Sequence, residues 1–284
     1  HPLHAQSSLE CLRAGLHVLV EKPMALRVAD CDAMIAAALA ERRSLGVISQ
    51  RRWYPSTRRI KTAIDQGLIG SPLLGQVTVL GWRDEAYYRS DPWRGSWTGE
   101  GGGVIVNQAP HQLDLLAWFM GSVSAVQGSW INANHPYIEV DDSAVATVRF
   151  ANGGLGSIFV SNSQKPGIHA KVAVHGSSGA SLGVQTDGGA MFIAGMSGVL
   201  EPPYIDLWTI PGQEDMPATW KIEDAQYFSR IDPTWHFFQL QIEDFAAAIR
   251  EERRPAVSGE EGREAVKIIE GIYRSQKTEA LVRY

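Results

Sequence analysis

The chain is poor in cysteine: only Cys11 and Cys31 occur in its 284 residues. Neither belongs to a Cys-x-x-Cys pair or a His/Cys cluster, so no disulfide framework is encoded and no metal site is expected. Both cysteines read as small buried hydrophobes, which suits a reducing, cytoplasmic compartment. Apolar runs are short as well. None approaches the ~20 residues a membrane span needs, and no signal-peptide pattern is visible. An excess of cations is missing too: the formal net charge is −5 and the isoelectric point near 5.9, which removes the electrostatic footprint of a nucleic-acid binder. Finally, no Gly-x-Gly-x-x-Gly phosphate-binding pattern occurs anywhere in the sequence.

What is present is an ordinary globular chain, long enough for one large domain or two smaller ones. Residues 4–14 read as a helix, 16–20 as a short buried strand, 28–43 as an alanine-rich helix and 46–49 as a second strand. Strands and helices alternating at this spacing predict βαβ units and a parallel sheet. Residues 55–66 read as a third helix, and from residue 73 the texture changes. Strands over 74–81, 144–150, 154–161, 170–175 and 180–185 follow one another across Gly, Asn and Ser turns, with a hairpin at Ala151-Asn152-Gly153-Gly154; this predicts a mainly antiparallel sheet. One long helix over about 103–120 and two terminal helices, about 234–251 and 260–276, complete the reading. The expected fold class is α/β: a Rossmann-like remainder in residues 1–50, then, in residues 51–284, an α+β domain with a large open sheet. Such a face needs covering, so a homo-oligomer, dimer or tetramer, is expected.

Two segments carry chemistry. The first is Gly15-Leu16-His17-Val18-Leu19-Val20-Glu21-Lys22-Pro23, a buried strand that delivers a carboxylate and an amine at its carboxyl end, where ligands bind in open α/β sheets. Pro23 restricts Lys22 to extended backbone. From composition alone, a solvated charge pair at a strand end fits equally well. The second is Gly101-Gly102-Gly103 followed by Asn107, His111 and Asp114. On a helix these three fall on one face. Three glycines let backbone approach a ligand or another chain closely, and Pro110 should kink or locally break the helix. An imidazole suits general acid/base work; a buried pair in which His111 and Asp114 satisfy one another is the simpler alternative.

Taken in order, Pro2-x-His4, the Gly15-to-Pro23 run, the triple glycine with Asn107 and His111, and Pro255-x-Val257-x-Gly259-Glu260-Glu261-Gly262-Arg263 resemble the glucose–fructose oxidoreductase/inositol dehydrogenase family, also called Gfo/Idh/MocA. The resemblance covers nearly the whole chain. It implies an NAD- or NADP-dependent oxidoreductase that transfers a hydride between nicotinamide and a secondary hydroxyl of a sugar, sugar derivative or cyclic polyol. It further implies that Lys22 is the active-site lysine and His111 the acid/base. Lys22, Asn107 and His111 would meet substrate, and His4, Glu21, Lys22, Trp93 and Arg94 the cofactor. For Asp91-Pro92-Trp93-Arg94, a loop packed at a subunit interface is the competing reading. The family often has aspartate where Asn107 stands, and asparagine cannot take a proton; a subset acting on sugar nucleotides and on anhydro or free sugars carries Asn-Gln-x-x-His, which Asn107-Gln108-Ala109-Pro110-His111 matches. Of Arg51 and Arg52, one is expected to border the pocket and at least one to be a surface charge; Tyr273 reads as core. Set against the family pattern, about the first 70–100 residues are missing, the size of two or three βα units. That predicts an N-terminally truncated sequence, and its rival reading is a non-catalytic fragment that oligomerises or binds sugar without holding dinucleotide.

Overall fold

The computed structural model describes residues 1–188 and 202–284. The apolar run after Gly15 forms strand β1 (Val18–Val20), and β2 (Leu45–Val47) pairs with it in parallel. Helices α1 (His4–Arg13) and α2 (Val28–Ala40) flank this small sheet. A short 3₁₀ turn, Gln50–Trp53, leads into α3 (Pro55–Asp65), which begins with proline at a position where the missing N–H costs nothing.

The second sheet begins with β3 (Pro72–Leu80), after which the chain makes α4 (Glu85–Arg89), α5 (Val104–Asn107) and α6 (Pro110–Met120). Strands β4 (Val123–Ile131), β5 (Ser143–Phe150), β6 (Leu155–Ser161), β7 (His169–Gly176), β8 (Ser181–Gly188) and β9 (Tyr204–Trp208) follow. Then come α7 (Met216–Phe228), α8 (His236–Arg250), α9 (Gly259–Thr278) and β10 (Val282–Arg283). The strands lie in the order β10-β4-β5-β6-β3-β7-β8-β9, antiparallel except for the β3–β6 pair. The α/β class and the large, mainly antiparallel sheet are therefore as the sequence predicts.

Alternation explains how the sheet sits. Along β5 every second residue is buried, which directs Ala144, Ala146, Val148 and Phe150 into a core shared with Leu113, Leu116 and Met120 of α6 and Ile268, Ile269 and Ile272 of α9. The opposite face carries Leu74, Val145, Leu155 and Phe159, each about half exposed. A second core lies around β1 and β2. Leu12, Val20, Met24, Met34 and Tyr54 meet Phe228, Phe237, Val257 and Val266 there. The first fifty residues thus close their core with side chains from the far end of the chain.

Several expectations are corrected. Cys31 is buried but Cys11 is exposed, because it lies off the face of α1 that packs Leu12 inward. The expected single helix over 103–120 is two helices, with the local break expected at Pro110, which starts the second. The glycine run brings backbone close to other parts of its own chain. A side chain on Gly103 would stand 1.8 Å from the Asp141 carbonyl oxygen, and one on Gly102 2.2 Å from the Tyr273 hydroxyl. Asp141 accepts Gly103 N–H at 2.8 Å, Ile105 N–H at 3.0 Å and Tyr273 O–H at 2.6 Å. The glycines therefore let the start of α5 press onto Asp141, just before β5, and Tyr273 belongs to the packing, as read.

Candidate active site

Strand β1 ends one residue before Glu21, so Lys22 emerges at the carboxyl edge of the small sheet, through a cis bond to Pro23. Its ammonium donates to the main-chain oxygen of Asn107 at 3.1 Å. That bond joins the two sequence motifs, 85 residues apart. Burial pushes the Lys22 amine down to about 8; Glu21 and Glu100 oppose the shift, and the Arg51 cation adds to it. Glu21 itself is exposed, with its carboxylate accepting the main-chain N–H of Lys22 at 3.1 Å.

His111 stands in the first turn of α6, buried at 8% exposure, and its Nδ1 meets no hydrogen-bond partner among the described residues. Burial, then the Arg51 and Lys22 cations, holds the imidazole well below its usual 6.5. It is accordingly neutral near pH 7, the form able to accept a proton. The fold therefore binds no proton at His111 where an unfolded chain does. Stability should fall as the pH drops below about 6.5, and His111→Asn should flatten that acid limb in urea denaturation.

Asp114 does not pair with His111. It takes two bonds from Arg52, at 2.8 and 2.7 Å, and one from the Ser49 hydroxyl. Arg51 pairs with Asp187, which also accepts Gln112 Nε2 at 2.9 Å. Both arginines are buried, Arg51 at 8% and Arg52 at 4%. Neither is a surface charge, because each finds a buried carboxylate that lies far away in sequence. Arg51 faces Lys22 and His111 closely enough to act on both electrostatically. These partners, and Glu100, are the site residues that sequence reasoning misses: no local spacing connects Arg51 to Asp187 or Arg52 to Asp114.

His4, Glu21, Lys22 and Trp93 line one cleft of about 670 Å³ with His1, Thr98 and Gly99. His4 is fixed by its Nδ1, 2.8 Å from the Pro23 carbonyl oxygen. Arg94 is not on the lining. Its guanidinium lies 4.3 Å from the Tyr87 ring centre and 4.4 Å from that of Trp93, and it donates to the Tyr87 hydroxyl at 2.6 Å. Its contact with Trp93 braces the indole that does reach the cleft.

Two family profiles match the chain in sequence order. Residues 1–49 match the oxidoreductase family with an NAD-binding Rossmann fold, and residues 57–181 match the GFO/IDH/MocA C-terminal domain. The chain belongs to the GFO/IDH/MocA oxidoreductases. Among relatives in this family, a 1,5-anhydro-D-fructose reductase from Ensifer adhaerens is 26% identical over 270 residues, covering 92% of this chain and 70% of the relative. A myo-inositol 2-dehydrogenase from Thermotoga maritima is 29% identical over 180 residues, or 62% of this chain and 52% of that one. Among solved structures, the WlbA dehydrogenase from Bordetella pertussis in complex with NADH and UDP-GlcNAcA superposes with a TM-score of 0.83 at 27% identity. That match covers all of this chain and 77% of WlbA. The GFO/IDH/MocA architecture of a Rossmann unit followed by a sheet domain accounts for both cores. No helix among the described residues is long and apolar enough to cross a membrane, and no group of metal-ligating side chains is found among them.

Proposed function

We propose that the chain carries the substrate site of an NAD- or NADP-dependent oxidoreductase acting on a secondary hydroxyl of a sugar, sugar derivative or cyclic polyol. The observation that carries this reading is the bond from Lys22 to the Asn107 carbonyl, made by an amine of lowered pKa whose charge also acts on the neutral, buried imidazole of His111. The cleft lined by His4, Glu21, Lys22 and Trp93 has the size and the flat aromatic wall to suit a nicotinamide riboside end; the described residues offer no glycine-rich turn for its pyrophosphate. Bound there, the cofactor would supply the hydride acceptor or donor.

In this reading Lys22 aims a positive charge at the substrate oxygen and stabilises negative charge building on it. His111, being neutral, takes the hydroxyl proton in oxidation and returns it in reduction. Asn107 hydrogen-bonds substrate and cannot relay a proton. His4, Glu21 and Trp93 contact cofactor, and Arg94 acts on it through Trp93. Titration with NADH and NADPH, followed by nicotinamide fluorescence, should show saturable binding of at least one. Failure of both to bind would favour the non-catalytic fragment for this chain.

The same reading puts a second copy of the chain on the half-exposed sheet face of Leu74, Val145, Leu155 and Phe159, giving a cytoplasmic homo-oligomer. Sedimentation as a monomer at micromolar concentration would count against it.

A further inference from the structure

Glu100 is 1% exposed, beside the glycine run, and belongs to no ion pair among the described residues. Its Oε2 accepts Gly95 N–H at 2.6 Å and its Oε1 accepts Asn107 Nδ2 at 2.5 Å. The two ends of an asparagine amide are nearly the same shape, so its orientation follows from its partners. An ionised carboxylate accepts and never donates, so Glu100 fixes which end faces it. Nδ2 turns inward, to Glu100 and, at 3.2 Å, to the Tyr87 hydroxyl. Oδ1 is left as an acceptor that meets no donor among the described residues. The main-chain oxygen of the same residue holds Lys22.

A glutamine at position 100 would behave differently. Its oxygen would serve Gly95 N–H as before, and its Nε2 would then face Asn107. Two amide nitrogens cannot hydrogen-bond each other, so the Asn107 amide would turn over and present Nδ2 in place of Oδ1.

We propose that Glu100 is the positioning residue of this site, holding Asn107 so that Oδ1 is offered as a hydrogen-bond acceptor to a second hydroxyl of the substrate, next to the one that reacts. The inference rests on the reading of Lys22, Asn107 and His111 as the substrate site and adds a specificity to it. Polyols and sugars with a vicinal hydroxyl satisfy Asn107, and analogues lacking that hydroxyl leave its oxygen unpaired. The surroundings agree. Burial raises the Glu100 carboxyl above its usual range, against the Gly95 and Asn107 hydrogen bonds that favour its ionised form, and its charge is felt at Lys22.

The test needs neither cofactor nor substrate, so it separates this inference from the question of turnover. In the full chain labelled with 15N and with 13C at lysine Cε, Asn107 is assigned through Asn107→Asp and Lys22 through Lys22→Met. The Asn107 side-chain amide should exchange slowly with solvent in the native protein. In Glu100→Gln it should exchange faster by roughly tenfold or more, reflecting loss of a charge-assisted hydrogen bond. The Lys22 midpoint should fall once the nearby carboxylate is gone. A folded Glu100→Gln protein with either readout unchanged overturns the proposal. Should that variant not fold, the native protein decides alone. A protected Asn107 amide, with a second inflection of the Lys22 resonance above the usual carboxylate range, supports the proposal. The absence of either overturns it.

Discussion

Lys22→Met should lower turnover by about 10²–10³-fold, the usual cost of removing one group that stabilises a developing oxyanion, while leaving affinity for NADH or NADPH nearly unchanged. Methionine keeps the length and flexibility of the lysine stem, so the lining beside His4 and Trp93 keeps its shape. Only the charge is lost, together with the bond to the Asn107 carbonyl. The native pH profile follows from the same residue. Lys22 works as a cation and titrates at about 8, so activity should decline as the pH rises through that value. A bound oxidised nicotinamide, itself positively charged, would move the decline to lower pH in oxidation than in reduction. Stability runs the other way. Between about 8 and the ordinary lysine value of 10.5 the unfolded chain holds a proton that the folded one has released, so unfolding becomes costlier with rising pH. Steady-state rates and urea midpoints measured on one pH series therefore move in opposite directions. Normal turnover in Lys22→Met would remove Lys22 from the mechanism.

How much of this was legible in the sequence depends on how local the cause is. Strand β1 and the Glu21-Lys22-Pro23 edge follow from a short apolar run after glycine, and the alternation that makes β5 through β7 is written residue by residue. The pairing of Lys22 with Asn107 was legible only as two motifs, because the contact spans 85 residues. The break at Pro110 was legible, because its ring removes a backbone donor and is tolerated best at the first turn of a helix, where α6 places it. Arg51 and Arg52 look alike in sequence and beside a tryptophan suggest a solvated run. Their carboxylates come from β8 and α6, in places no periodicity identifies. Glu100 sits in a loop without regular spacing, and its role is set by what Gly95 and Asn107 turn towards it.

Asp114→Ala should cost about 3–5 kcal/mol of stability, the range for breaking a buried ion pair by removing one partner. For a chain of this size that corresponds to a fall in Tm of roughly 10 °C. Asp114 is 5% exposed and Arg52 4%, and the carboxylate engages two guanidinium nitrogens at once. After the substitution Arg52 keeps the Trp118 ring, 5.1 Å away, and Glu261, at 2.9 Å, whose side chain is about a third exposed; one ion pair to a partly solvated partner does not replace a bidentate pair. The Ser49 hydroxyl loses its acceptor as well. Asp114→Asn, which retains an oxygen for one of these donors, should fall between the native protein and the alanine variant. Removing both charges, in Asp114→Leu with Arg52→Met, should recover most of the loss, since no uncompensated cation then remains buried. A double variant no more stable than Asp114→Ala would mean that packing, not charge, sets the cost. The consequence extends to the site, because Asp114 ties α6 to the 3₁₀ turn three residues after His111. At temperatures where Asp114→Ala is still folded, its turnover should fall further than its affinity for nicotinamide, because the imidazole loses its fixed place while the cleft around His4 and Trp93 does not.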